Sequence, residues 1–241
     1  MEAVVLPRGA RSRNARAGAA FGILSGILVA AAFLVPPPSG TPAQQLLNFD
    51  ARYWEFLGVV DVLILLSAIP FAAYLRSVLE GRAPGTASAA AILFVLGIAV
   101  GAGASVVQSI AVGTLSSTYT SATSSGADRA AAVVVATLIN DVATSLFPIV
   151  LLEAGIVGFS AAMLNSRIFP NWVADVGVAS AVVAIIVVAI PSLVPSIGTT
   201  SFVGFLLLIV FLVLLEVWVF ASAGYLLRSA RPAKVGAPAA A

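Results

Sequence analysis

Neither cysteine nor histidine occurs anywhere in the 241 residues. Their absence removes disulfides, thiolate nucleophiles, imidazole general bases, haem ligation through either residue, and zinc sites of the usual kind. Charge is scarce as well. Charged residues make up 9% of the chain against 61% apolar, too little polar surface to solvate a globule of this length. The chain therefore reads as an integral membrane protein. Its formal net charge is only +2, and the arginines stand at the ends of apolar runs, not along one polar face, so no nucleic-acid partner is implied.

What is present is a series of apolar runs separated by short polar segments. Spans are expected at about 17–35, 55–75, 89–113, 130–164, 173–190 and 202–227, giving an all-α polytopic bundle of six crossings. A basic tail, residues 1–16, precedes this 17–229 membrane domain, and a disordered tail, 230–241, follows it. The N-terminal run could pass for a signal peptide, but its apolar core is long and no clear small-residue cleavage site follows, so a retained first span is expected. The stretch from Thr114 to Gly126, TLSSTYTSATSSG, reads as a solvated loop.

The fourth run, Ala130 to Leu164, holds thirty-five residues without a cation and carries Asp141 and Glu153. A bilayer core about 30 Å thick needs about 20 helical residues. This run is too long for one perpendicular crossing and too short for two, so a single over-length helix is expected, tilted or projecting, with a kink at Pro148. Charge supports that parity. With an N-in/C-in layout the inner side receives Arg8, Arg11, Arg13, Arg16, Arg76, Arg82, Arg167, Arg228, Arg231 and Lys234, and the outer side Arg52 and Arg129. The expected location is the cytoplasmic membrane.

Three acids fall inside spans: Asp61, Glu153 and Glu216. Counted back from Arg76, Arg167 and Arg228, they lie at depths of about 22, 21 and 18 Å, one layer if the tilts match. Asn140 and Asp141 would lie about 39 Å up, as an outer entrance. No cation stands in the layer, so each acid must be protonated, hydrated or bound to a cation. Two readings follow. Neutral acids could join helices through hydrogen bonds of about 0.6 to 2 kcal/mol each; alternatively, Glu153 and Glu216 with Asp61 could form a proton or cation pathway. Enzymes fit less well. Rhomboid-type and zinc-dependent intramembrane proteolysis need histidine, no Gly-x-Gly-Asp motif surrounds Asp61 or Asp141, and no acid cluster suited to Mg²⁺ accompanies basic residues.

The stretch Asn165-Ser166-Arg167-Ile168-Phe169-Pro170-Asn171-Trp172, followed by Gly177, resembles a junction found in a prokaryotic multi-pass membrane family known as domain of unknown function 4386. The closing run, with Leu215-Glu216-Val217-Trp218 and then Gly224-Tyr225-Leu226-Leu227-Arg228, is similar to that family's last helix. The second span, with Asp61 and Tyr74-Leu75-Arg76, is similar more loosely. The resemblance implies a multi-pass fold and places Ser166, Arg167, Pro170 and Glu216 in the family pattern; it implies no activity. The sequence thus leads to a non-enzymatic membrane protein or assembly subunit, with a small proton- or cation-coupled transporter as the alternative. It implies no cofactor and no metal. Its partners are the lipid bilayer and, in an assembly, protein subunits or further copies of itself.

Overall fold

The computed structural model describes residues 8–35, 41–143, 147–193 and 202–229. All regular structure among them is helical: α1 (Arg8–Leu34), α2 (Pro42–Leu47), α3 (Ala51–Leu79), α4 (Pro84–Thr120), α5 (Gly126–Ala143), α6 (Phe147–Ser166), α7 (Asn171–Leu193) and α8 (Phe202–Ser229). Helices α1, α3, α4, α6 and α8 are long and apolar enough to cross a membrane, and α7 is apolar over Asn171–Val187. The C-terminal tail from residue 230 lies outside the described residues.

Six helices close into a ring. Helix α1 packs on α3, α3 on α4, α4 on α6, α6 on α7, α7 on α8, and α8 back on α1. Neighbours run antiparallel. On α1, Gly18 meets Tyr74 and Gly22 meets Phe71, so a rising α1 faces a descending α3; Gly22 also meets Ala223 and Gly26 meets Phe220. The start of α1 and the end of α8 therefore share one end of the bundle. Arg76, Arg82 and Arg167 lie toward that same end, called proximal below.

Lipid is as apolar as leucine, so helices in it associate through close packing, and small residues set the seams. At the α4–α6 seam, Gly97 abuts the backbone of Leu152 and Gly155 abuts that of Phe94. The ring's centre is aromatic. Phe71, Phe94, Phe159 and Trp218, from α3, α4, α6 and α8, are all buried, with centroid separations of 6.0–6.3 Å. The Phe71–Phe94, Phe71–Trp218 and Phe94–Phe159 pairs meet edge to face, an arrangement that contributes about 0.5–1.5 kcal/mol each beyond area burial.

Helix α4 is the longest rod. Its 37 residues span about 56 Å at 1.5 Å per residue, well beyond a hydrocarbon core. The sequence expectation of a loop from Thr114 is corrected here: the helix continues to Thr120. Its hydroxyls bond back to their own helix, Thr114 to Ile110, Ser117 and Thr118 to Thr114, and Thr120 to Ser116. Such back-bonding conceals polarity inside a helix.

The stretch expected as one over-length helix is described as two, α5 and α6, with residues 144–146 outside the described residues. Both follow one register along α4. Gly158 meets Ala90, Gly155 meets Phe94, Gly97 meets Leu152, and Gln108 bonds to Asn140. The kink expected at Pro148 lies beside residues 144–146, outside the described residues.

At the distal end α2 and α5 join the outer half of α4 in a second core of Leu46, Trp54, Val112, Ala132 and Ala136. Thr41 and Gln44 form a reciprocal capping box at the start of α2. The Ser116 hydroxyl donates to the Leu46 carbonyl at 2.7 Å in a buried bond that ties α2 to α4.

Candidate functional site

Glu153 sits near the middle of α6, 4% exposed. The Ser180 hydroxyl of α7 donates to its Oε1 at 3.3 Å, while Oε2 is buried with no hydrogen-bond partner. Ser160 lies two turns on along the same helix face, and its Oγ crowds Gly177 of α7 together with the indole Nε1 of Trp218. A Cβ at Gly177 would stand 2.3 Å from Ser160 Oγ and 2.7 Å from Trp218 Nε1. Only glycine lets the three helices meet there. Ser160 Oγ, Trp218 Nε1 and Ser222 Oγ are also buried without partners. The α6–α7–α8 junction therefore concentrates polar atoms in an otherwise apolar ring.

Glu216 faces a different seam. Gly26 of α1 approaches its Oε2 closely, since a Cβ at Gly26 would be 2.7 Å from it, and that oxygen too is buried without a partner. A groove of about 340 Å³ between α1 and α8, walled by Val29, Ala30, Leu212, Val213, Val217 and Phe220, lies beside it. Glu216 and Trp218 are two positions apart, about 200° of helical turn, so with Trp218 pointing inward the glutamate points toward the α1 seam.

Asp61 on α3 faces Ser105 on α4, with which it shares a hydrogen bond. Each acid lies on its own helix seam: Asp61 between α3 and α4, Glu153 between α6 and α7, and Glu216 between α8 and α1. Glu216, two positions from Trp218, and Glu153, joined to Ser180 near Gly177, fall close to one level.

The distal polar residues do come together. Gln108 Nε2 donates to Asn140 Oδ1 at 3.1 Å, and with Gln45 of α2 they line a small cavity of about 140 Å³. The side chain of Asp141, paired with Asn140 in the sequence reading, lies outside the described residues. Among the described residues no three of His, Cys, Asp and Glu are grouped as a metal site would require.

The Ser166–Pro170 junction is a helix terminator. Ser166 Oγ donates to the Met163 carbonyl and accepts from the Ile168 N–H. Arg167, at φ 52°, takes the left-handed conformation that ends helices. The Arg82 guanidinium donates to the Ser166 carbonyl, closing the end of α6. Phe169 is buried and packs its ring on Tyr225. What the sequence reading missed is the partner pair, Ser180 and Ser105, because isolated serines in apolar helices carry no signal until a neighbour is known; Gly177 was marked only through the family junction.

No curated protein and no solved structure matches the chain. The model of one family, described as domain of unknown function (DUF4386), matches residues 17–229. With nearly the whole helical region covered, this multi-pass helical membrane protein belongs to the DUF4386 family.

Proposed function

We propose that the chain is a non-enzymatic, six-crossing protein of the cytoplasmic membrane, with both termini inside, whose buried acids join helices within the bundle or within a larger membrane assembly. Three observations support the topology: α7 completes the ring, the first and last helices share an end, and Arg76, Arg82, Arg167 and Arg228 lie toward that end. The observation that carries the role of the acids is the Ser180–Glu153 hydrogen bond at a buried helix seam. A neutral carboxyl there acts as interhelical glue.

A double-mutant cycle tests this. Glu153→Leu and Ser180→Ala, singly and together, should give a coupling of about 0.6 to 2 kcal/mol in detergent unfolding, and Glu153→Gln should preserve most of it. Coupling near zero would remove the structural role. The transporter reading draws on the orphaned Oε2 atoms of Glu153 and Glu216. It requires proton or cation flux in proteoliposomes that Glu153→Gln and Glu216→Gln abolish while the fold persists.

A further inference from the structure

We propose that the proximal corner of α6, α7 and α8 binds the headgroup of an anionic phospholipid. The ring of Tyr225 on α8 is its centre. Phe169, from the α6–α7 junction, packs on that ring at 6.1 Å between centroids and Trp172 of α7 at 6.3 Å, and the Arg228 guanidinium stands 5.0 Å from the ring centroid. Arg167 lies two residues before Phe169, and Arg82, between α3 and α4, reaches the adjoining Ser166 carbonyl. Three helix ends thus bring three cations to one aromatic cluster.

These cations have no acid to answer them. Among the described residues the one ion pair is Arg76–Glu80, so Arg82, Arg167 and Arg228 have no carboxylate partner there. The ring contact occupies the face of the Arg228 guanidinium and not the N–H donors along its edge, whose fork matches phosphate oxygens. Against the three charges the corner sets one acid, Asp175, a turn along α7 from Trp172.

The surroundings select a lipid over a free anion. Ile168, Trp172 and Leu227 are 38%, 47% and 39% exposed, and the apolar runs of α7 and α8 reach their polar ends here. Phosphate alone would use the arginines and leave that apolar surface bare. A phospholipid uses both, with its phosphate on the guanidinium forks and its upper acyl chain on the exposed side chains, at the depth where tryptophan and tyrosine rings rest in a bilayer. A zwitterionic headgroup would bring its own cation against the arginines, so the anionic one is preferred.

This inference does not depend on the role argued for the buried acids. Trp172 supplies the readout, because the other two tryptophans, Trp54 and Trp218, are buried. The full chain is placed in phosphatidylcholine nanodiscs holding a minor share of phosphatidylglycerol or phosphatidylcholine brominated high on the acyl chain, and the quenching lost in Trp172→Phe is assigned to Trp172. Brominated phosphatidylglycerol should quench more, with a preference of roughly fivefold for each arginine engaged. Arg228→Gln and Arg167→Gln should each lower that preference about fivefold, and Arg228→Lys should keep part of it. Arg167→Gly, which suits the left-handed backbone there, should repeat the loss without strain. Arg129→Gln, on α5, should leave it unchanged. In every variant melting and quenching by brominated phosphatidylcholine should stay as in the unaltered chain. Three results would overturn the proposal: equal quenching of Trp172 by the two lipids, a preference that survives the loss of both Arg167 and Arg228, or its removal by inorganic phosphate but not by sodium chloride of equal ionic strength, which would make the site one for a free anion.

Discussion

Replacing Gly155 by alanine probes the contact that fixes α4 against α6. The added Cβ would stand 2.4 Å from Phe94 N and 2.6 Å from Phe94 Cα, both backbone atoms that no rotamer change can move. Since ordinary contact begins near 3.4 Å, the seam must open by about 1 Å. Overpacking of that kind costs about 1–3 kcal/mol, offset in part by the better helix propensity of alanine, up to about 1 kcal/mol. Gly97→Ala meets the same barrier from the opposite helix, 2.4 Å from Leu152 N. Once one alanine has opened the seam the second should fit, so the double variant should lose less than the sum of the two. Gly103 supplies the control. It lies on α4 with nothing within 4 Å of a Cβ, and Gly103→Ala should be neutral or stabilising by up to about 1 kcal/mol. The assay is unfolding in mixed micelles by titration with sodium dodecyl sulfate, followed by tryptophan fluorescence. Equal midpoints for Gly155→Ala and Gly103→Ala would refute the close approach of α4 and α6.

Four further outcomes are expected. Arg82→Ala should cost about 1–3 kcal/mol because the Ser166 carbonyl loses its donor, with Arg82→Lys recovering part of it in the same unfolding assay. Arg167→Gly should be neutral or stabilising by up to about 1 kcal/mol, since φ 52° strains any residue but glycine; a large loss would show that the side chain itself matters. Ser116→Ala should free α2, read as faster proteolytic cutting between residues 41 and 50. The Ser125 hydroxyl and then its backbone N–H hold the Asp128 carboxyl below the usual carboxylate range, so this cap of α5 holds above the ordinary carboxylate pKa and is lost as pH falls through the lowered one, a loss of amide protection at 126–130 that Asp128→Asn should abolish.

Helix identity was legible because a bilayer demands long apolar runs, and each such run became helix. Helix ends were not. The Ser/Thr segment continues α4 because Thr114, Ser117, Thr118 and Thr120 return their hydroxyls to carbonyls of the same rod. The seam that each acid faces was not legible, because it depends on partners carried by other helices: Ser105 for Asp61, Ser180 for Glu153 and Gly26 for Glu216.

The two cores divide the chain's polar chemistry. Around the distal core, amides and hydroxyls find one another: Gln108 with Asn140, Ser116 with the Leu46 carbonyl, Asp61 with Ser105. Around the aromatic ring core, Glu153 has one partner, Glu216 lacks one at Oε2, and Ser160, Trp218 and Ser222 have orphaned atoms. Buried orphans cost more than satisfied groups, by about 1–3 kcal/mol each. A fold that only needed stability would place alanine or leucine at such positions, as it does at Ala68, Ala72 and Ala162 of the same core. Helices α3 and α4 join both regions, α3 lending Phe71 to one and Trp54 to the other, and α4 lending Phe94 and Gly97 to one and Gln108, Val112 and Ser116 to the other.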